Sequence, residues 1–310
     1  MTSLPRPFEH ERWEWVFFRI LFAVLLLVTC SENWPSFTSM PRPNGLGHFI
    51  DFTFLARQEL RQPLYGLFVL AMGLYAAGRW IPWALGYATA LMVGLGTLSN
   101  SQGAIGHHTQ LVVMVLLTQW VVYTVHAFRP CVGEGSGRSS CAAASRSALD
   151  WSRNVIVSAY VVCAMVKLSR TNGLWVWNSP NLAVQLIKTN EMDFYNRLEK
   201  ANSFWADQFP QFLVEHPWFA RVLFGSGFAL ELFAFLALLG KRWAFFGGLM
   251  MIAMHLSISK IMRLNFETHI WMIVIFLVLP WPCELLAKRL SRWHDLPLLK
   301  RRRIAGAKQG

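Results

Sequence analysis

Several ionisable and amide side chains stand inside the long apolar stretches of this chain. They are Lys167, His107, His108, Gln110, Glu231, His255, Asn265 and His269. Such groups are costly in an apolar environment, usually face the interior of a helix bundle, and mark candidate functional sites. A lysine acts as a base near neutral pH only when desolvation or nearby cations favour its neutral form. An apolar helix end would supply that desolvation, so Lys167 is the candidate base.

The composition predicts a membrane protein. The 310 residues are 54% hydrophobic and 15% charged, and they include 15 tryptophans. Soluble domains carry about a quarter charged residues, whereas indole rings favour the membrane–water interface. The net charge of +12 comes from bases that lie between apolar blocks and in the C-terminal tail. They do not line one face, so no nucleic-acid partner is expected, and the lipid bilayer is the expected partner.

Apolar segments alternate with polar loops in a pattern that predicts eight membrane helices. Spanning the hydrocarbon core takes about 17–25 residues. The segments are Trp13–Cys30, Leu64–Gly78, Ile81–Leu98, Ile105–Phe128, Asn154–Leu168, Val222–Gly240, Trp243–Ser259 and Asn265–Trp281. The predicted fold is an all-α bundle of about eight transmembrane helices. Interfacial helices are expected in the loops at residues 31–63 and 169–221, where aromatic and charged residues mix.

The lysines and arginines orient the bundle. With the N-terminus inside, 17 of them fall in inner segments and 10 in outer loops. The positive-inside rule therefore predicts that both termini are cytoplasmic. The five cysteines show no tight metal-binding spacing, and no metal site is predicted.

This orientation brings the polar residues to one depth. Lys167 ends an outward-going helix, and His255 lies late in another. Asn265 and His269 begin an inward-going helix four residues apart, hence on one face, and Glu231 lies near the middle of its helix. Only Arg19 points to the inner side. The sequence therefore predicts a shared, outward-facing pocket within the membrane.

Structural interpretations compete with this one. The ammonium group of Lys167 could extend to the interface as an anchor. Trp175 and Trp177 fit an interfacial aromatic belt. A single buried histidine such as His269 is more often a packing residue than a catalyst.

The order of these motifs resembles the HTTM (horizontally transferred transmembrane) domain, which also occurs in vitamin K-dependent gamma-glutamyl carboxylases. The similar stretches are "GHHTQL", "AMVKL" followed by "LWVWN", "GFALELFAFLALLG" and "MHLSISKIMRLNFETHIWMIVIFLVLPWP". The resemblance covers about residues 12–285. It leaves residues 286–310 as a basic cytoplasmic tail.

The resemblance implies a function. In the carboxylase a membrane lysine deprotonates a quinol, and Lys167 matches that lysine. His108, or else His107, matches the histidine that assists it. A membrane quinol is therefore the expected lipid-soluble ligand, and the bacterial inner membrane is the expected location. Because the chain ends soon after the eighth helix, a carboxylase-like lumenal region and carboxylation of a protein substrate are not expected.

Two other classes of function compete with a quinol-dependent enzyme. One is a non-enzymatic transporter or a scaffold subunit with a protein partner. The other is a DoxX-like redox subunit that contacts quinone.

Overall fold

The structure is a computed structural model that describes residues 13–35, 43, 45–101, 109–128, 137–198, 204–205, 208–262, 264 and 266–294. Of residues 137–142, 193, 197 and 290–294 only the backbone is described. The described residues form helices and no strand, so the predicted all-α fold class is confirmed.

Twelve α-helices lie in the described ranges. They are α1 (Trp13–Glu32), α2 (Gln58–Ala76), α3 (Ile81–Asn100), α4 (Gln110–Phe128), α5 (Gly137–Arg170), α6 (Trp175–Asn178), α7 (Asn181–Arg197), α8 (Gln208–Glu215), α9 (Pro217–Leu232), α10 (Lys241–Met262), α11 (Glu267–Ile273) and α12 (Pro280–His294). A 3₁₀ segment, Phe233–Leu239, continues α9. A π-helical segment, Val274–Val278, directly follows α11 and leads to α12.

Seven of the described helical segments are long and apolar enough to cross a membrane. They are Trp13–Glu32, Ile81–Asn100, Gln110–Phe128, Ala143–Arg170, Pro217–Leu239, Lys241–Met262 and Glu267–Arg289. The chain thus has the character of a multi-pass membrane protein, as predicted. The eighth predicted span, Leu64–Gly78, coincides with α2. This helix is not among the seven, because its first turns carry Glu59, Arg61 and Pro63.

The core of the bundle is built from large apolar side chains. Phe22 of α1 meets Tyr75 of α2 and Phe276 of the π-helical segment edge to face, with ring centroids 6.5 and 5.3 Å apart. The long helix α5 packs against α4, α9 and the 3₁₀ segment that follows α9. Helix α5 therefore contacts helices that precede it and helices that follow it in the chain.

A smaller layer covers one end of the bundle. Helix α8 packs on α7 and on the first turns of α9, and α7 also contacts α10, with Leu186, Phe209 and Leu213 at the centre. Arg221 of α9 lies 4.1 Å from the ring centre of Trp177 and 4.8 Å from that of Trp218. Its Nε donates to the carbonyl of Trp177. This contact joins the short helix α6 to α9. The described residues of the loop at 169–221 are largely helical, as predicted.

Candidate functional site

Lys167 and Glu231 form an ion pair between α5 and α9. Lys167 Nζ lies 2.5 Å from Glu231 Oε2, and the two side chains are 32% and 12% exposed. Lys167 is near the end of α5, whereas fourteen residues of α9 precede Glu231. At a rise of 1.5 Å per residue, those residues extend α9 about 21 Å beyond Glu231. The pair therefore lies below the covering layer formed by α6, α7 and α8.

Trp175 covers this ion pair. Its ring centre is 5.0 Å from Lys167 Nζ, close enough for a cation–π interaction. The ring also stacks on Phe228 of α9, with centroids 5.4 Å apart and planes inclined by 27°. Helix α6 packs closely on α9 at Gly225, where an added Cβ would lie 3.1 Å from Val176 Cγ1. Trp175 thus contacts Lys167 and Phe228 within the protein, which its interpretation as an interfacial belt residue did not include.

Tyr160 and His255 form a second polar pair, between α5 and α10. The Tyr160 hydroxyl lies 2.5 Å from His255 Nε2. The His255 ring is 3% exposed and stacks on Phe266 at 4.9 Å. His269 of α11 is 5.8 Å from it between ring centres. Nδ1 of His255 is buried without a hydrogen-bond partner in the described part of the chain, so a polar group placed there would find a free ring nitrogen.

The two pairs belong to one cluster. Tyr160, Cys163 and Lys167 occupy α5 at a spacing of three and four residues, so they share one face. Lys167 interacts electrostatically with His255, and Glu231 interacts with both Tyr160 and Cys163. We name the five residues Tyr160, Lys167, Glu231, His255 and His269 the polar cluster. It combines a cation, a carboxylate, a phenol and two imidazoles.

Helix irregularities flank this cluster. Glu231 lies in the last turn of α9, where the chain passes into the 3₁₀ segment Phe233–Leu239. His269 precedes the π-helical segment Val274–Val278 on the next span. Short 3₁₀ and π stretches within helices are often found at functional sites. Both irregularities therefore support a functional role for the cluster.

The predicted site residues are placed as follows. Lys167, Glu231, His255 and His269 lie together in the polar cluster. Gln110 is exposed at the first turn of α4, and His107, His108 and Asn265 lie outside the described residues. Tyr160 was not predicted, although its position two helical turns before Lys167 places it on the same face.

No group of three or more histidine, cysteine, aspartate or glutamate residues within the described ranges is arranged to hold a metal ion. The imidazoles of His255 and His269 are close to each other, but a metal would need further ligands. The chemistry that these side chains offer is proton transfer and charge stabilisation.

A second polar network lies between α1, α2, α4 and α5. The Tyr75 hydroxyl donates to Gln119 Oε1 at 2.6 Å, and Gln119 Nε2 donates to Ser152 Oγ at 3.0 Å. Arg19 of α1 is buried and lines a small cavity together with Tyr75 and Gln119. Ser152 is eight residues before Tyr160 on α5, or about 12 Å along the helix. This network is therefore separate from the polar cluster, and its hydrogen bonds join α2, α4 and α5.

Comparisons with family models, with curated proteins and with solved structures gave no match for this chain. The resemblance to the HTTM domain therefore stays a prediction from the residues quoted above.

Proposed function

We propose that this protein is a membrane enzyme that takes a proton from a lipid-soluble weak acid, with a membrane quinol as the ligand. The observation that carries the proposal is the convergence of Lys167, Glu231, Tyr160 and His255 within apolar helices. We further propose that the protein lies in a bacterial inner membrane with both termini in the cytoplasm. The HTTM resemblance and the distribution of basic residues support this placement.

The surroundings of the cluster favour a hydrophobic ligand. The α5 face next to Lys167 carries exposed apolar residues, among them Val162, Met165 and Val166. In a helix that crosses a membrane, such residues face lipid. A ligand dissolved in the bilayer can therefore approach the cluster from the hydrocarbon side, whereas the covering layer of α6 to α8 lies on the aqueous side.

The side chains suit the ionisation of a phenolic hydroxyl. An ammonium group in an apolar site stabilises a developing oxyanion more strongly than it would in water. Lys167 would hold the oxyanion of the deprotonated quinol. The Tyr160–His255 pair offers a second proton donor and acceptor, at the distance of a hydrogen bond.

Lipid identification tests this proposal. The protein would be purified into nanodiscs from native membranes, and the bound lipids would be identified by mass spectrometry. We expect a quinone in stoichiometric amount with the wild type and its loss with Lys167→Met. Lys188→Met, an exposed lysine on α7, is the matched control and should retain the quinone.

Anaerobic addition of a reduced quinone gives a second measurement. Quinol oxidation on admission of oxygen should be abolished by Lys167→Met and unchanged by Lys188→Met. A stoichiometric phospholipid or other solute in place of quinone, together with no quinol oxidation, would contradict the enzyme proposal and favour a transporter.

A further inference from the structure

Glu231 is the carboxylate that contacts Lys167, and it defines the charge of the site. An amine bonded to a carboxylate at 2.5 Å is an ion pair or the neutral pair that follows transfer of one proton. The ring centre of Trp175 lies 5.0 Å from Lys167 Nζ, which is the geometry of a cation–π contact with an ammonium group. The resting site therefore holds an ammonium ion and a carboxylate, and in that state the lysine has no lone pair with which to act as a base.

From this geometry we infer that Glu231 is the net proton acceptor of the site and that Lys167 stays an ammonium ion throughout. The inference rests on the proposed function, since it assigns the proton of the same quinol. It differs from the prediction made from the sequence, in which Lys167 is the base. Lys167 becomes the group that stabilises the anion, and the carboxylate becomes the base.

The proton-transfer step balances without any other reactant. The O–H bond of one quinol hydroxyl breaks, and its proton forms a new O–H bond on a carboxylate oxygen of Glu231. The electron pair stays on the quinol oxygen, which becomes a quinolate. No electron leaves the quinol in this step. The site begins with one ammonium and one carboxylate, and it ends with an ammonium, a neutral carboxylic acid and a bound quinolate.

The donors of Lys167 fit this role. An ammonium group has three N–H donors, and the bond to Glu231 uses one of them. A second donor can therefore hold the quinolate oxygen next to the carboxyl group that received the proton. Lys167 then contacts both partners of the transfer and keeps them in one geometry, which is the condition for efficient proton transfer.

Other titratable groups face this pair. Tyr160 and Cys163 on α5 lie within electrostatic range of Glu231. His255 on α10 lies within electrostatic range of Lys167, and the ring centre of His269 on α11 is 5.8 Å from that of His255. The Tyr160 hydroxyl is bonded to His255, so within this set the Glu231 carboxylate is the anionic acceptor in direct contact with Lys167.

Four variants separate the two roles. Lys167→Arg keeps a cation that does not act as a base, and Lys167→Met removes the cation. Glu231→Gln removes the base but keeps an oxygen for Lys167, and Glu231→Asp keeps a carboxylate. The probe is 2-methyl-1,4-naphthohydroquinone, added without oxygen to protein in nanodiscs. Its ultraviolet absorption distinguishes the bound quinol from the bound quinolate across a pH series.

We expect the wild type, Lys167→Arg and Glu231→Asp to bind quinolate near neutral pH. Glu231→Gln should lose the bound quinolate and bind the probe as neutral quinol, because the amide does not take up the quinol proton. The inference is overturned if Glu231→Gln retains the wild-type quinolate fraction, or if Lys167→Arg or Glu231→Asp loses quinolate as Lys167→Met does. A wild type that binds no naphthoquinol refutes the proposed function itself, so the two failures are distinguishable.

Discussion

The Tyr160 hydroxyl holds a buried imidazole in place, which makes Tyr160→Phe informative. The substitution leaves Nε2 of His255 without its partner, and a buried polar group left unsatisfied costs about 1–3 kcal/mol. We expect a lower unfolding temperature in detergent and weaker quinol binding. Tyr195→Phe, at an exposed tyrosine of α7, should change neither. Equal stability of the two variants would show that the Tyr160–His255 bond does not contribute.

At the scale of residues, the sequence could predict which side chains are unusual but not which of them pair. Lys167, Glu231, His255 and His269 stand out because each is polar within an apolar segment. The contact of Lys167 with Glu231 joins α5 to α9 across 64 residues, and its register depends on how two helices pack. Tyr160 was not predicted because tyrosine is common in membrane helices. Only its bond to His255 distinguishes it.

Between helices, the packing of α10 on the π-helical segment depends on one glycine. A Cβ at position 248 would lie 2.8 Å from Val278 Cγ2 and 3.1 Å from Leu277 Cβ, whereas a Cβ at position 247 would lie 3.8 Å from Ala237. Gly248→Ala should therefore destabilise the protein by about 1–3 kcal/mol through overpacking. Gly247→Ala is the control and should be tolerated. Thermal unfolding of both variants in the same detergent measures the difference, and equal midpoints would contradict the packing.

The turn between α2 and α3 depends on another glycine. Gly78 has φ +71°, and a Cβ there would lie 3.0 Å from the Nη2 atom of Arg19. Arg19 is buried, so its guanidinium group has little room to move. Gly78→Ala should cost about 1–2 kcal/mol for the left-handed backbone alone.

Gly66 of α2 supplies the control for this turn. A Cβ at position 66 would meet nothing within 4 Å, so Gly66→Ala should leave stability unchanged or raise it slightly, as alanine does within a helix. Unfolding temperatures of the two variants give the comparison. A Gly78→Ala variant as stable as Gly66→Ala would show that the turn can adopt another conformation.

The membrane spans could be predicted from the sequence better than the residues at which the helices begin, end or change type. Apolar composition indicated the seven spans, because a spanning helix must be apolar along its length. It did not indicate that α9 begins at Pro217 and extends past the end of α5. The change to a 3₁₀ segment at Phe233 and to a π-helical segment at Val274 was also not predicted. These changes depend on contacts with neighbouring helices rather than on local sequence.

Across the whole molecule, apolar side chains separate the polar cluster from the network around Arg19. Ile156 and Val157 lie between Ser152 and Tyr160 on α5, and both are fully buried. Phe22 and Phe276, whose rings contact each other edge to face, are also buried. A proton released in the polar cluster therefore meets an apolar barrier on the side of the Arg19 network. We infer that proton exchange takes place through the end covered by α6 to α8.

The orientation of the bundle gives the final prediction. If both termini are cytoplasmic, α7 faces the outside and the turn after α2 faces the cytoplasm. In a variant without native cysteines, Gln185→Cys on α7 should react with a membrane-impermeant maleimide in intact cells, and Arg79→Cys only after permeabilisation. Both positions are exposed in the structure, so reactivity reports the side of the membrane rather than burial. The reverse pattern would turn the polar cluster towards the cytoplasm, and proton exchange would then take place with the cell interior.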